Sequence, residues 1–218
     1  MRWSILEGLT SAQQAELLRL ARRRSFKRSE VIFHEGDPAD AVHLIESGHV
    51  SVRVGTPYGE TATLRLLGPG DLFGELAVIS PGPRNATITA IEGCETLVLH
   101  RDQIDQLRRE NPAVERALLE SVIQEVRRLS SQIVEAMYFP AATRLARRLV
   151  ELADAWPVDP HGHTTVPLTQ GDLAGLCGTT RPTVNQLLGR LVEQGLVELR
   201  RGKVIICDVA GLIERADL

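Results

Sequence analysis

The chain has 218 residues, enough for two modest domains that each bury a core, and its 43% hydrophobic and 24% charged residues are typical of a globular protein. Its 25 basic and 28 acidic side chains nearly cancel, which excludes a protein drawn to nucleic acid by bulk charge. Because Cys94, Cys177 and Cys207 form no metal-ligand spacing and no leader or long apolar run is present, we expect a cytoplasmic protein without a metal site or membrane contact.

The N-terminal half begins with one helix and then changes to short strands. Thr10 followed by Gln13 predicts a capping box that opens the helix. Turn residues separate the β-type runs that follow, and this regular spacing is typical of a small antiparallel roll that can enclose a ligand. The predicted strands are 31–33, 42–45, 50–54, 61–67, 86–90 and 96–99.

A long helix is predicted from Pro112 to about Tyr138. Its apolar positions alternate in steps of three and four, as in a coiled coil, so two copies of the chain could pack along this stripe. The stripe consists of Leu119, Val122, Val126, Leu129, Ile133 and Ala136. A helix packed on its own domain is the alternative, and the polar residues between these positions favour dimerisation.

The C-terminal part predicts a helix over 141–155, a loop over 156–163, and two further helices. Capping residues open these two, Thr169 with Asp172 for the first and Thr180 for the second, in which Pro182 lies in the first turn. Two strands then flank Arg201 and Gly202, which indicates a hairpin. A helix-turn-helix followed by a basic wing matches this order.

An acidic and a basic residue lie close together in the glycine-rich segment 70–87. Gly74 lets backbone amides approach a ligand, Glu75 suits ribose hydroxyls, and Arg84 suits a phosphodiester. Together they would bind a sugar phosphate. A structural salt bridge between Glu75 and Arg84 is the alternative, and these two residues by themselves would favour it.

Polar side chains near the start of the predicted second helix match DNA bases. Arginine can read guanine, while Asn and Gln can read adenine. The candidate DNA-binding residues are Thr179, Arg181, Thr183, Asn185, Gln186, Arg201 and Lys203. A small helical domain with an incidental polar surface is the alternative, because residues 139–218 hold as many acidic as basic side chains.

The segments FGELA at 73–77 and PRNAT at 83–87 closely resemble the phosphate-binding cassette of cyclic-nucleotide-binding domains, and residues 30–50 are similar to the same family. This resemblance implies that Glu75 binds the ribose 2′-hydroxyl and Arg84 the cyclic phosphate. Asn85 departs from the small hydroxyl residue common in bacterial members, and Leu129 replaces a polar residue that reads adenine. The implied nucleotide-binding residues are Gly74, Glu75, Leu76, Arg84, Asn85, Ala86, Leu129 and Ser130.

Residues 173–184 and 193–197 resemble the winged helix-turn-helix of the CRP/FNR regulator family. The resemblance implies that Arg181 reads a guanine. Pro182 stands where cyclic-AMP receptors often have glutamate, and Gln186 where they often have a second arginine, so the DNA site is expected to differ from the usual one.

These observations predict an α+β protein with a jelly-roll-like β-roll over 1–111, a dimerisation helix over 112–138 and a winged helix-turn-helix over 139–218. The expected function is that of a homodimeric, sequence-specific transcriptional regulator that binds a pseudo-palindromic operator and RNA polymerase under the control of a cyclic nucleotide, first of all cyclic AMP. A regulator that senses another effector, or none, is the alternative. An enzyme is not expected, because the sequence shows no nucleophile–base pair.

Overall fold

The structure is a computed structural model that describes residues 3, 6, 9–55, 61–80 and 82–216, without the side chain of Ala77. Contacts within the chain separate two compact units, Met1–Val54 with Arg65–Leu129, and Gly55–Leu64 with Ser130–Leu218. None of the helices in these described ranges is both long and apolar enough to span a membrane.

The elements of the N-terminal half confirm the six predicted strands and the long helix. In chain order they are α1 (Ser11–Leu20), β1 (Arg22–Phe26), β2 (Val31–Phe33), β3 (Ala41–Ser47), β4 (Val50–Gly55), β5 (Thr61–Leu67), β6 (Leu72–Phe73), α2 (Leu76–Ile79), β7 (Thr87–Ala90), β8 (Cys94–His100), α3 (Arg101–Glu110) and α4 (Pro112–Tyr138). The Thr10 capping box opens α1 as predicted. The division between the two units falls inside α4, after Leu129.

The strands form two four-stranded sheets, ordered β1-β8-β3-β6 and β2-β7-β4-β5, whose described registers are antiparallel. The central strand β3 is buried on both faces. Its Ile45 joins Val50, Phe73 and Ile88 in an apolar core contributed by both sheets. Its Val42 and Leu44 join a second core with residues of α1, α3 and α4. The predicted antiparallel β-roll is thus confirmed, with helices covering one sheet.

Strand β1 and helix α3 were not among the predicted elements. Four of the five residues of β1 are exposed, and three of these are arginines, so the segment shows no apolar alternation. It is a strand because Arg22 to Phe26 pair in register with Val98 to Cys94 of β8. The buried residue of helix α3 is Ile104. One buried position does not produce the repeated apolar spacing from which a helix is predicted.

The second unit contains the predicted helices and hairpin. Its elements are α5 (Ala141–Ala155), β9 (Thr164–Val166), α6 (Gln170–Leu176), α7 (Arg181–Glu193), β10 (Val197–Arg200), β11 (Lys203–Ile206) and α8 (Val209–Ala216). The three strands pair antiparallel in the order β10-β11-β9. Leu145, Leu188 and Leu212, one from each of α5, α7 and α8, are fully buried. Leu187 of α7 is half-buried.

Candidate functional site

Arg84 lies in the interior of the first unit, with only 5% of its surface exposed. Its Nη2 donates to the carbonyl oxygen of Ala41 at 2.7 Å, and its Nη1 donates to that of Gly74 at 3.2 Å. The guanidinium carbon lies 4.1 Å from the centre of the Phe33 ring. The β-roll therefore holds this side chain in one place, between Ala41 of β3, Gly74 and Phe33 of β2.

The charge of Arg84 lacks an anionic partner among the described residues. Its buried Nε has no hydrogen-bond acceptor, and no carboxylate forms an ion pair with the guanidinium within the described chain. Burial lowers the pKa of Arg84, against the opposite influence of the carboxylates of Asp40, Glu75 and Asp37. A buried cation with an unused donor is costly, and an anion with oxygen acceptors would reduce this cost.

Gly74 fits against this guanidinium. Its φ of +84° lies in the left-handed region, and a Cβ at this position would lie 2.4 Å from Nη1 of Arg84 and 3.0 Å from the carbonyl oxygen of Ala41. Any other residue would therefore be strained and would displace Arg84. This explains in structural terms why a glycine precedes Glu75.

Glu75 occupies the N-cap position of the short helix α2, without a side-chain capping hydrogen bond, and is half-buried. Burial raises the pKa of its carboxyl group, while the charges of Arg65 and Arg84 lower it and that of Glu125 raises it. The alternative salt bridge between Glu75 and Arg84 is not formed in the described structure, and Arg65 instead pairs with Glu125 at 2.8 Å. The carboxylate of Glu75 and the guanidinium of Arg84 are therefore near each other without neutralising each other.

The other predicted nucleotide-site residues differ in exposure. Ala86 is buried at 3%, and Asn85 is exposed directly before it. Leu76 is 39% exposed at the start of α2. Leu129, 37% exposed, and Ser130, also exposed, are neighbours on α4.

In the second unit, α6 and α7 are joined by a tight turn. Thr169 forms the predicted capping box with Asp172 at the start of α6. Gly178, at φ +57°, reverses the chain, and the hydroxyl of Thr180 accepts from the backbone amide of Thr183 at 3.4 Å at the start of α7. Val184 and Leu188 bury the opposite face of α7. The two helices and the turn thus have the expected helix-turn-helix arrangement.

Three polar side chains of α7 point to solvent. Arg181, Asn185 and Gln186 are exposed, while Thr179 and Thr183 are half-exposed. Within the described chain, Arg181 has no carboxylate partner, so its guanidinium is available to a ligand. Helix α7 thus carries one cationic and two amide side chains in its N-terminal half. Helices that bind in the DNA major groove carry their base-contacting residues in the same place.

The hairpin formed by β10 and β11 has its turn at Arg201 and Gly202, and Gly202 adopts φ +71°. Arg201 and Lys203 are exposed at this turn. Arg200 pairs with Glu198 at 2.9 Å, which reduces its availability. The hairpin therefore presents two cations suited to phosphate contact.

Comparisons with known proteins agree with both halves of this geometry. The family description "Cyclic nucleotide-binding domain" matches residues 23–111, and "Crp-like helix-turn-helix domain" matches residues 143–215. Over 217 residues, the chain is 30% identical to a CRP-like cAMP-activated global transcriptional regulator of Mycobacterium tuberculosis, with 99% of this chain and 97% of that protein aligned. The chain belongs to the CRP/FNR family of transcriptional regulators.

Two proteins of Thermus thermophilus add to this assignment. The chain is 32% identical to its cyclic AMP receptor protein over 215 residues, which are 97% of this chain and 96% of that protein. The solved structure of a CRP/FNR-family regulator from the same organism superposes with a TM-score of 0.76 at 26% identity, covering 90% of this chain and 99% of the other. This CRP-like regulator therefore combines a cyclic nucleotide-binding domain with a helix-turn-helix DNA-binding domain.

Arg144 is a residue of this CRP/FNR regulator that the sequence did not indicate. From α5, its Nε donates to the carbonyl oxygen of Cys177 at 2.9 Å, and its Nη2 donates to that of Gly178 at 3.3 Å. Its Nη1 donates to the carbonyl oxygen of Phe139 at 2.7 Å. One guanidinium thus ties the segment before α5 to the turn of the helix-turn-helix. A sequence pattern carries no such signal, because all three acceptors are backbone atoms.

Helix α4 exposes much of the apolar stripe that the sequence predicted. Leu119 and Val126 are each 58% exposed and Ile133 is 60% exposed, and Met137 on the same side is 69% exposed. The buried residues of α4, Val114 and Leu118, lie in its first two turns and belong to the core of the first unit. Further along α4, most of the apolar stripe is exposed to solvent.

Proposed function

We propose that this regulator is a homodimer whose binding to a pseudo-palindromic operator is controlled by a cyclic nucleotide, with cyclic AMP as the first candidate. In this proposal, residues 1–111 bind the nucleotide, 112–138 form the dimer contact and 139–218 bind DNA. The observation that carries the nucleotide proposal is the buried guanidinium of Arg84, whose Nε has no acceptor among the described residues.

The chemistry of the pocket residues fits a cyclic nucleotide. Arg84 would bind the cyclic phosphate through its planar set of donors, and Glu75 would accept from the ribose 2′-hydroxyl. Backbone amides around Gly74, Leu76 and Ala86 would complete the phosphate contact, and the Asn85 amide group is a further donor. This assignment explains why Arg84 and Glu75 are close together without an ion pair between them.

Two observations bear on which base is bound. Two relatives carry cyclic AMP in their names, which supports that nucleotide as the first candidate. On α4, Ser130 can hydrogen-bond a base, whereas Leu129 has an apolar side chain and cannot. Leu129 is the observation that favours the second candidate function, in which the regulator senses another effector or acts without one.

The solvent-exposed stripe on α4 supports a second copy of the chain as partner. Its members repeat with the spacing of a coiled coil, and polar residues such as Gln124 and Arg127 occupy the other exposed side. Pairing along the stripe would bury the apolar surface of both chains at once.

The exposed residues of the second unit support two kinds of DNA contact, to bases and to phosphates. Arg181 would read a guanine, and Asn185 and Gln186 would read adenines. Thr179, Thr183, Arg201 and Lys203 would contact phosphates. In a dimer, two such helices match half-sites about 34 Å apart, which is one turn of DNA.

Control by the nucleotide requires different affinities for two states of the dimer. We propose that the liganded state favours one packing of the α4 helices and thereby sets the spacing of the two α7 helices. RNA polymerase is proposed as a further partner on the strength of the family assignment alone.

Operator selection from random duplexes, followed by fluorescence anisotropy with and without nucleotide, tests this proposal. We expect cyclic AMP to tighten operator binding at least about tenfold, a coupling of about 1.4 kcal/mol. The variant Arg84→Gln should lose this response, while Arg116→Gln, which removes an exposed guanidinium of the same unit, should retain it.

Two other results would change the proposal. Calorimetry that detects no cyclic AMP or cyclic GMP binding, together with tight and selective operator binding, would support the ligand-independent regulator. Equal operator affinity with and without saturating cyclic AMP would eliminate cyclic AMP as the effector.

A further inference from the structure

A cavity of about 510 Å³ lies at the side of the β-roll where the edge strands β1 and β2 meet. We name it the edge cavity. Its lining includes Arg22, Arg23 and Arg24 of β1, Phe33 of β2, His43 of β3 and Arg84. The volume falls within the range of about 300–1,000 Å³ that is usual for pockets that bind small molecules.

Within the part of the chain that the structure describes, the edge cavity shares only Arg84 with the residues proposed to bind the nucleotide. Gly74, Glu75 and Leu76, which are proposed to contact the nucleotide, are absent from its lining among the described residues, and Arg84 is the residue common to both. Arg84 lies between the two sites, since it binds the carbonyl oxygen of Gly74 and also lines the cavity.

Two arginines give the cavity a cationic rim. Arg22 and Arg24 are two positions apart, so their side chains leave the same side of β1. Neither forms an ion pair with a described carboxylate, and Arg24 instead stacks at 5.2 Å on the ring of Phe26. Arg23 between them binds Glu46 at 2.7 Å.

Two carboxylates also line the cavity, and they leave its positive charge in excess. Asp37 accepts the backbone amide of His34 at 2.7 Å, so one of its oxygens is engaged in the turn. Asp40 is exposed at the rim. The two negative charges of these carboxylates are fewer than the three positive charges of Arg22, Arg24 and Arg84. The net positive charge of the cavity therefore favours an anion.

The wall next to the rim is aromatic. His43 stacks on Phe73 with ring centroids 4.7 Å apart and the planes only 11° from parallel, and its Nδ1 is 3.1 Å from the hydroxyl of Thr96. Burial and the nearby arginines lower the pKa of His43 to about 3, so the imidazole is neutral near pH 7. With Phe33 beside it, the wall suits a flat, apolar ligand body.

We propose that the edge cavity is a second ligand site, which binds a small aromatic carboxylate with its ring against Phe33 and His43 and its carboxylate at Arg22 and Arg24. A guanidinium and a carboxylate match in geometry as well as charge. A ligand with one or two fused aromatic rings fits the volume of the cavity. This site does not depend on the proposed nucleotide control, because the two arginines of the rim are not part of the cassette.

The test uses the full-length protein and 2-naphthoate as the probe. Calorimetry should detect saturable binding, and the NMR signal of the His43 imidazole should shift on titration. The matched neutral probe, 2-naphthamide, should bind at least about tenfold more weakly, because it lacks the charge that the rim recognises.

Variants of the rim locate the site. Arg24→Gln should weaken 2-naphthoate binding at least about tenfold, and Arg22→Gln gives a second, independent measurement. Arg23 also lines the cavity, but Glu46 neutralises its guanidinium, so Arg23→Gln should weaken binding clearly less than Arg24→Gln does. Cyclic AMP titrations of the same variants should match the wild type, which separates a failure of this site from a failure of the nucleotide site.

Several results would overturn the proposal. Equal binding of the acid and the amide would mean that the rim does not select charge. An equal loss in Arg23→Gln and Arg24→Gln would mean that the probe senses only the general charge of β1. A titration that leaves the His43 signal unshifted would place the probe elsewhere.

Discussion

Replacing Ile133 by glutamate tests the proposed dimer contact directly. Three apolar side chains of the stripe, Leu119, Val126 and Ile133, and Met137 on the same side of α4 are 58–69% exposed. Full burial of such a side chain is worth about 1.5–3 kcal/mol, so burial of the exposed part is worth about 1–2 kcal/mol. Eight such side chains in a pair of helices contribute about 8–16 kcal/mol, against a cost of association of about 4–15 kcal/mol.

This comparison makes the dimer sensitive to a single position. Ile133→Glu removes two apolar contributions from a symmetric contact, about 2–4 kcal/mol in all, and it places two carboxylates in apolar surroundings. The dissociation constant of the dimer should rise by about 30-fold to several hundred-fold. Sedimentation equilibrium across micromolar concentrations measures this change.

Gln124→Glu is the matched control, because it adds the same charge to the other exposed side of α4. It should leave the dissociation constant within about threefold of the wild type, since an exposed charge contributes little. A wild-type chain that stays monomeric at micromolar concentration, or an equal effect of both substitutions, would refute the stripe as the contact.

The remaining predictions concern three single residues. Arg144→Gln should lower the free energy of unfolding of the second unit by about 2–4 kcal/mol in urea titrations, because it removes charged hydrogen bonds to three carbonyl oxygens; a loss below about 0.5 kcal/mol would contradict the structural role. Arg181→Ala should cost about 1–3 kcal/mol per half-site and relax selection at one base pair, whereas an equal loss on all duplexes would indicate a phosphate contact. The pKa of His43 is about 3 in the folded protein and 6.5 in its ordinary state. The unfolded chain therefore binds more protons between these values, and the free energy of unfolding of the first unit should fall by about 2 kcal/mol from pH 7 to pH 5. His43→Phe should remove this dependence, and an unchanged pH profile would refute the buried neutral imidazole.

The sequence predicted the elements whose signals are local. The capping residues Thr10, Thr169 and Thr180 mark helix starts that the structure confirms, because a capping side chain binds amides within three residues of itself. The apolar spacing predicted α4 from Pro112 to Tyr138. The family motifs likewise consist of neighbouring residues, and this is why the resemblance to CRP/FNR regulators could be recognised before the fold was known.

Elements and contacts that depend on distant partners could not be predicted in this way. The arginine-rich strand β1 exists through its pairing with β8, about 70 positions further along the chain. Arg144 donates hydrogen bonds to backbone carbonyl oxygens. Because every residue has such an oxygen, no pattern of side chains indicates these contacts.

The residues themselves thus determined the two-part organisation, the helix boundaries and the identity of the candidate ligand and DNA groups, because short-range periodicity, capping and motif spacing encode them. Only the tertiary structure showed that Arg84 is buried with an unused donor, that Glu75 does not pair with it, and that a cationic cavity opens on its other side. Desolvation and unpaired charge arise from groups that folding brings together from separate strands, so they are properties of the packed chain and not of any segment.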